Sequence, residues 1–506
     1  MLNLQNFPFT IFGDYAIKFA WKTLTTSGSA EAIINEVPGA DALTGSDVIL
    51  GSLRAKVETT DFVDLAGIRN LAPFDAGPGR DWLIGKVRVD AENGADFSAR
   101  GLNNQSQIDM GPGNDRVIGT VDARVGDNVS LRAEAIQGDI NTGEGRDSVI
   151  GTVKVRAGDN VSLAADGIDR SISTGDGRDS VVGTVNLRVG DNAILFSEGI
   201  DDDVRTGDGR DSVVGTVNAR AGDNATLFID GIGGDVSTGA GSDNVIGTVK
   251  VSAGDGAGIF VSGSIFSTDT GPGNDKVVGT VEVTAGDNAD VLAAIGISSS
   301  IETGDGRDTV IGKVSVAGEA GSSFGDINGI GRLGVINIVT GDGNDRVEGS
   351  SSIEGTDLAE AFGNGIGGSD VRFRATVDTG DGKDTVIGKG AEIALGGTSS
   401  GISIADIMLG EGDDMVHARG ASAGVRDVFI FGDAGDDAFD LHSGTGEVDG
   451  GDDIDLLILS GESGDFTFTA GPPETGNISG GVTDLDVANI EFFEFDDGTF
   501  TYADLF

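Results

Sequence analysis

Apolar residues recur in straight columns when the central part of the chain is written in rows of 32 residues. Four such columns are Val149, Val181, Val213, Val245; Val153, Val185, Val217, Val249; Leu131, Leu163, Leu195, Leu227; and Ile136, Ile168, Ile200, Ile232. Short runs such as VKVR at 153–156 alternate apolar and polar residues, which predicts strands. Apolar columns of this kind predict a parallel β-solenoid, in which each residue packs on its equivalent one coil away at the roughly 4.8 Å strand spacing.

Three polar segments separate the apolar runs in each row. The first is Gly-x-Gly-x-Asp, the second is Gly-Asp-Asn, as in VGDN at 125–128, and the third is looser, as in DGIDRS at 166–171. Glycine adopts positive φ without cost and Asn or Asp tolerates it, so each segment predicts a turn. The expected fold is therefore all-β, a parallel solenoid with three strands and three turns in each coil of about 32 residues.

The first polar segment belongs to a nonapeptide, Gly-x-Gly-x-Asp-x-aliphatic-aliphatic-Gly. Its copies begin at Gly77, Gly111, Gly143, Gly175, Gly207, Gly239, Gly271 and Gly304. A fixed period of this length marks stacked repeats that fold only against their neighbours. The spacing then lengthens to Gly341 and Gly380, and degenerate copies begin at Gly410 and Gly432. We expect an N-terminal cap at 1–38, the solenoid at 39–440 and a C-terminal cap at 441–506, because uncapped end coils expose unpaired edges.

Charge and cysteine content narrow the possible partners. The chain has 83 acidic and 33 basic residues, a net charge of −50, and no cysteine. Such a charge disfavours nucleic acid and acidic membranes and makes cations the natural partners. Disulfides, thiolate zinc sites and cysteine nucleophiles are excluded. No stretch approaches the roughly 20 apolar residues of a membrane helix, and the N-terminus lacks the pattern of a signal peptide.

Stacking in register places the nonapeptide aspartates in one line along the solenoid. This nonapeptide aspartate file comprises Asp81, Asp115, Asp147, Asp179, Asp211, Asp243, Asp275, Asp308, Asp345 and Asp384, and the second loop position adds Asp176 and Asp208 beside it. Neighbouring charges at strand spacing repel by about 1 kcal/mol per pair even in water. Carboxylates and glycine carbonyls are hard oxygen ligands, and without nearby His or Cys they favour several Ca²⁺ ions over zinc or copper.

The loop motif resembles the calcium-binding nonapeptide of the repeats-in-toxin family (RTX, hemolysin-type), and the resemblance covers residues 77 to 440. That family folds as a parallel β-roll with calcium between successive loops. The resemblance implies that the aspartates of the file are side-chain ligands. It also implies carbonyl ligands from the motif glycines, among them Gly143, Gly145, Gly175, Gly177, Gly207 and Gly209. The family usually repeats the nonapeptide in tandem. Here one copy serves a whole coil, which favours a wider, three-sided β-helix with calcium along one edge.

The Gly-Asp-Asn segment leaves two interpretations open. Its aspartates, here called the corner aspartate file, are Asp127, Asp159, Asp191, Asp223, Asp255 and Asp287. They are candidates for a second line of calcium sites. Alternatively, Asn128, Asn160, Asn192 and Asn224 form an amide ladder while Arg124, Arg156, Arg188 and Arg220 pair with the aspartates.

The last residues, GVTDLDVANIEFFEFDDGTFTYADLF, are similar to the uncleaved tail of type I secreted RTX proteins. A hydrophobic cap for the final coil is a compatible interpretation. Together with the missing signal-peptide pattern, the tail predicts secretion in one step to the cell surface or the extracellular space.

Catalytic motifs are missing from the sequence. Neither His417 nor His442 belongs to HExxH or lies near Gly-x-Ser-x-Gly, and we expect both to be surface-loop residues without partners. The resulting expectation is a secreted, non-enzymatic, calcium-binding structural or adhesive protein of a surface layer, matrix or motility fibril that folds on binding calcium. Its further partners would be other copies of itself, in a filament or lattice, or a surface polysaccharide. The alternative is a carbohydrate-active β-helix enzyme of the polysaccharide lyase or epimerase type.

Overall fold

The protein is almost entirely β-structure. A computed structural model describes residues 2–3, 15–25, 27–35, 40–41, 45–264, 267–331, 336–355, 361–367, 374–391, 398–472 and 474–506. Strands account for 64% and helices for 2% of the structure, which confirms the all-β parallel solenoid. The chain divides into two compact units, one of residues 1–261 with 283–290 and the other of residues 262–282 with 291–506.

Each regular coil contributes a long strand, a second strand and a short third strand, as the three turn segments predict. The long strands are Tyr15–Leu24, Val48–Val57, Trp82–Ala91, Arg116–Val125, Ser148–Arg156, Ser180–Arg188, Ser212–Arg220, Asn244–Ala253, Lys276–Ala285, Thr309–Gly318, Arg346–Gly355, Thr385–Lys389, Met415–Arg419, Ala438–His442 and Leu456–Leu459.

The second strands are Leu2–Asn3, Gly28–Asn35, Val63–Asn70, Asp96–Asn104, Ser130–Gln137, Ser162–Asp169, Ile194–Ile200, Thr226–Ile232, Gly258–Ser264, Asp290–Ile297, Ser323–Ile330, Ala361–Gly367, Ser400–Met408, Ala423–Phe431 and Gly444–Asp449. The short strands are Ala40–Asp41, Phe74–Asp75, Ile108–Asp109, Ile140–Asn141, Ile172–Ser173, Val204–Arg205, Val236–Ser237, Thr268–Asp269, Ile301–Glu302, Ile336–Val339 and Ala375–Asp378.

In the first unit, the residues of each predicted apolar column pair with one another in the observed strand register. Val181 pairs with Val149 in the coil before and with Val213 in the coil after, all in parallel. Leu195 pairs with Leu163 in the same way on the second strands. These side chains are 0–1% exposed, so each coil buries its apolar residues against the equivalent residues of its neighbours.

In the second unit the coil length changes while the parallel register is kept. Equivalent aspartates from Asp275 to Asp455 lie 33, 37, 39, 30, 23 and 18 residues apart. The lengthening predicted after Gly304 is therefore confirmed, and residues 332–335, 356–360 and 368–373 of the longer coils lie outside the described part of the chain. The parallel stack continues beyond residue 440, because Ala438–His442 pairs with Leu456–Leu459.

The two ends differ in construction. Tyr15–Leu24 continues the parallel register onto Val48–Val57, whereas residues 1, 4–14, 26 and 36–38 of the expected N-terminal cap lie outside the described residues. The C-terminal strands include Thr467–Ala470, Thr475–Gly480, Thr483–Ala488, Phe492–Phe495 and Gly498–Thr501, which form antiparallel hairpins. A 3-10 turn at Ser463–Asp465 and a short helix at Tyr502–Leu505 accompany them.

The C-terminal hairpins bring aromatic rings together. The ring of Phe495 lies 5.3 Å from that of Phe466 and 5.8 Å from that of Phe468, while Tyr502 stacks on Phe506 at 4.7 Å. This cluster supplies the apolar contacts expected of a cap. Among the described residues, no helix has the length and apolar character required to cross a membrane.

Candidate cation-binding loops

The Gly-x-Gly-x-Asp loops lie on top of one another with their backbones in contact. Gly145 forms parallel bridges with Gly113 on one side and Gly177 on the other. A Cβ atom added to Gly145 would lie 1.4 Å from the carbonyl oxygen of Gly113, and Gly143 has φ of +82°. Only glycine satisfies both the close approach and the backbone conformation. The carbonyl groups of these glycines therefore point towards the next coil.

The nonapeptide aspartates turn inward and form a hydrogen-bonded ladder within each unit. The backbone N–H of Asp147 donates to Oδ1 of Asp179 at 2.7 Å, and the N–H of Asp179 donates to Oδ1 of Asp211 at the same distance. All ten predicted members take part as donor or acceptor within their own unit. Their side chains are only 1–2% exposed. The ladder thus locks the register of successive coils at this turn.

The ladder has members that the sequence motif did not identify. Asp47, Asp414, Asp437 and Asp455 make the same backbone-to-carboxylate bonds as the predicted residues. The available signals were the truncated copy TGSDVILG at 44–51, the degenerate copies from Gly410 and Gly432, and GGDDIDLL at 450–457. Each retains an aspartate before a strand although the glycine pattern is incomplete.

The environment of the second carboxylate oxygen, Oδ2, varies along the file. In Asp179 and Asp275, Oδ2 accepts a hydrogen bond from the hydroxyl of the threonine five residues earlier, Thr174 or Thr270, at 2.9 and 3.0 Å. Asp81, Asp115, Asp414, Asp437 and Asp455 have no threonine at that position, and their buried Oδ2 atoms accept no hydrogen bond. A buried carboxylate oxygen without a donor is costly unless it binds a proton or a cation.

Burial makes ionisation of the file unfavourable. Removal from water is the main reason that the pKa of Asp115 rises to about 7 and that of Asp211 to about 6, and neighbouring aspartates add to the rise. The hydrogen bond from the preceding aspartate's backbone N–H opposes the shift without cancelling it. At neutral pH, ionisation of the file therefore costs free energy that protonation or a bound cation would remove.

The donor chemistry fits calcium. Unpartnered carboxylate oxygens and glycine carbonyls are the hard oxygen ligands that Ca²⁺ takes in sites of six to eight ligands. No group of three or more Asp, Glu, His or Cys side chains converges as a metal centre among the described residues. With one inward carboxylate per loop, backbone carbonyls such as those of Gly143 and Gly145 would have to supply much of the coordination.

Asp176 and Asp208 do not join the inner ladder. Both are exposed, and Oδ1 of Asp176 accepts the backbone N–H of Asp208 at 3.0 Å, while Oδ1 of Asp208 accepts that of Ala240 at 2.9 Å. Asp176 and Asp179 therefore lie in one loop, but Asp176 is exposed and Asp179 is buried. The outer pair contributes negative charge at the surface of the loops.

The corner aspartate file is also a hydrogen-bonded ladder, but an exposed one. The backbone N–H of Asp191 donates to Oδ1 of Asp159 at 2.9 Å, the opposite direction to the inner ladder. Asn160 and its equivalents have φ near +56°, the left-handed conformation that asparagine tolerates. Carboxylates rather than amides form this side-chain ladder. Within the described ranges, no ion pair joins Arg124, Arg156, Arg188 or Arg220 to it.

Both histidines have partners, contrary to expectation. His417 lies on the strand Met415–Arg419, and its Nδ1 is 2.7 Å from Oδ2 of Asp440. His442 ends the strand Ala438–His442, where its Nδ1 hydrogen-bonds the hydroxyl of Ser460. The expectation of surface-loop histidines without partners is therefore wrong. Parallel stacking places residues of successive coils side by side, which a motif search does not reveal.

Comparisons with family models, curated proteins and solved structures find no match to this chain.

Proposed function

We propose that this protein is a secreted, calcium-loaded structural or adhesive solenoid that folds when it binds calcium. The observation that supports the proposal best is the buried nonapeptide aspartate file. Asp115 combines an exposure of 1%, a pKa raised to about 7 and an Oδ2 atom without a hydrogen-bond donor. Bound calcium would neutralise such carboxylates where no basic side chain does so.

The residues that would hold the ions are the inward aspartates and the glycine carbonyls of the same loops. Their ionised carboxylates oppose folding at neutral pH, and the 86 glycines of the chain add a large ordering cost. A ligand that binds only the folded state stabilises it by mass action, and repeated sites make the transition steep. The chain would then remain unfolded at low cytoplasmic calcium and fold outside the cell.

A calcium titration of the full chain, followed by circular dichroism, tests this function. Starting in chelator at neutral pH, we expect β-signal to appear cooperatively with calcium. Magnesium is the matched control, because it demands a smaller octahedral site and should be a much poorer substitute. A β-signal that chelator leaves unchanged would contradict calcium-dependent folding.

A structural role further implies association with copies of the same chain or with a surface polysaccharide. Parallel coils have unlike ends, so association through them would give open filaments rather than closed dimers. Incubation with surface polysaccharides separates this role from the enzymatic alternative, since release of a new reducing end or an unsaturated sugar would contradict it.

A further inference from the structure

An exposed aromatic stripe runs along the second strands of the first unit. Phe196 and Phe228 pair across neighbouring coils and are 51% and 40% exposed. Their rings stack with centroids 5.1 Å apart and planes within 5°, and the ring of Phe260 continues the row at 6.4 Å. Ile194, two residues before Phe196, is 46% exposed and extends the apolar surface. We define the aromatic stripe as these four residues.

The same column is not aromatic in the preceding coils. Phe196 pairs with Ala164, which in turn pairs with Arg132. A solenoid coil does not need an exposed phenylalanine at this position. Contiguous exposed apolar surface on a soluble fold marks an interaction site more often than chance placement.

Acidic residues occupy the column two positions further along four successive second strands, on the same side as the stripe: Glu134, Asp166, Glu198 and Asp230. In an earlier coil this column holds Glu134, which is fully buried. Arg100 Nε lies 2.6 Å from Glu134 Oε2, and Arg132 pairs with both Glu134 and Asp169. Guanidinium groups therefore balance the carboxylates in these earlier coils, one from the acidic column itself (Arg100) and one from the column that Phe196 later occupies (Arg132).

Beside the aromatic stripe, the acidic side chains remain but the arginines do not. Glu198 lies two coils after Glu134, and Asp201 follows Asp169 by one coil. In the part of the chain that the structure describes, neither carboxylate has a lysine or arginine within ion-pair distance. Oε2 of Glu198 is buried and accepts no hydrogen bond. Burial, followed by the charges of Asp201 and Asp230, raises the pKa of Glu198 to about 10, so the free side chain is protonated at neutral pH and a cation that binds it displaces that proton.

We propose that the aromatic stripe, together with Glu198 and Asp201, is a docking surface for a basic peptide segment of a partner protein. An arginine of that segment binds Glu198 and Asp201, as Arg132 binds Glu134 in an earlier coil, and an adjacent apolar side chain packs on Phe196 and Phe228. A second copy of this chain is a poor occupant, since its net charge of −50 repels an acidic surface. This inference goes beyond the calcium-dependent structural role.

Binding of a short basic peptide tests the proposal directly. The probe is a fluorescently labelled Arg-Leu-Arg-Leu-Arg peptide, and its control replaces each arginine with citrulline, which is neutral and nearly isosteric. Anisotropy is recorded with the full chain in calcium at about 0.15 M salt, where attraction between distant surface charges is screened. We expect binding of the arginine peptide and at least about ten-fold weaker binding of the citrulline peptide, the ratio for one lost charge-assisted contact.

Variants locate the site. Glu198→Gln and the double variant Phe196→Ser with Phe228→Ser should each weaken binding about ten-fold or more, while Asp139→Asn, an exposed carboxylate elsewhere in the unit, should not. Circular dichroism shows whether each variant has kept its fold. The proposal is overturned if folded Glu198→Gln or the folded double variant binds the peptide normally, or if the citrulline peptide binds equally well. It is also overturned if no peptide binds and Glu198→Gln instead removes a calcium-binding step.

Discussion

Replacing one inward aspartate by asparagine separates the cost of a buried charge from the loss of a calcium ligand. Asp211 is 1% exposed, and its Oδ1 accepts the backbone N–H of Asp179 at 2.7 Å. Asparagine keeps the shape of the side chain and that acceptor oxygen but carries no charge. Asp211→Asn should therefore preserve the ladder while removing the ionisable group.

The size of the effect on stability follows from the pKa of Asp211. Burial raises the pKa of Asp211 from 3.8 to about 6 in the folded state. A raised carboxyl pKa means that the folded state binds the proton more tightly, so stability is lost as pH rises from the unfolded pKa through the folded one. The shift of about two units corresponds to about 3 kcal/mol above about pH 6 and to nothing well below pH 4. Without calcium, Asp211→Asn should recover up to that amount at neutral pH.

Calcium should reverse the effect. In the proposed function, bound calcium offsets more than the cost of ionisation at neutral pH, so the loss of one carboxylate ligand should raise the calcium midpoint and lower the steepness of the transition. Circular dichroism measures both quantities at about pH 7.4. In chelator, the same signal gives the pH at which β-structure is lost, and this pH should rise in the variant.

The matched control is Asp223→Asn in the exposed corner aspartate file. Oδ1 of Asp223 accepts the backbone N–H of Asp255 at 2.9 Å, a bond that asparagine can also make. We expect little change in either the calcium midpoint or the pH midpoint. Equal effects of the two substitutions would refute the distinction between the files. Destabilisation by Asp211→Asn in chelator at neutral pH would refute the cost assigned to the buried charge.

Four further outcomes are expected. Gly145→Ala should lower the free energy of unfolding in calcium by about 3 kcal/mol or more, because its Cβ would lie 1.4 Å from the carbonyl oxygen of Gly113. Gly464→Ala is the control and should change this free energy little, because no atom lies within 4 Å of its added Cβ. Equal denaturation midpoints of the two variants would contradict the close stacking. The wild-type chain in chelator should gain β-signal on acidification to about pH 4.5. It should lose that signal as pH rises through about 6 to 7, the folded pKa values of Asp211 and Asp115. A pH-independent spectrum would count against the cost assigned to the buried carboxylates. Deleting residues 481–506 should retain the protein in the producing cell while deleting residues 1–37 should not, and normal export of the first deletion would refute the secretion signal. Light scattering should show filaments growing with calcium, and monomers throughout would argue against assembly.

The sequence by itself determined which residues become neighbours. In a parallel stack the period along the chain becomes the register between coils, so Val181 had to pair with its equivalents and Asp179 with Asp211. The partner of each strand can be predicted from the repeat period without knowing how distant loops fold. The fold class, the apolar columns and the members of the nonapeptide aspartate file could therefore be predicted from repetition alone.

Only the tertiary structure decided which way each polar side chain faces and what it meets. Asp179 is buried and Asp176 is exposed although only two residues separate them in one turn, because the path of the loop backbone sets their directions. The pairing of Arg100 with Glu134 and the stacking of Phe196 on Phe228 also depend on contacts between coils. A periodic pattern gives the order of residues around a coil, but burial and hydrogen-bond partners arise only when the loops are packed.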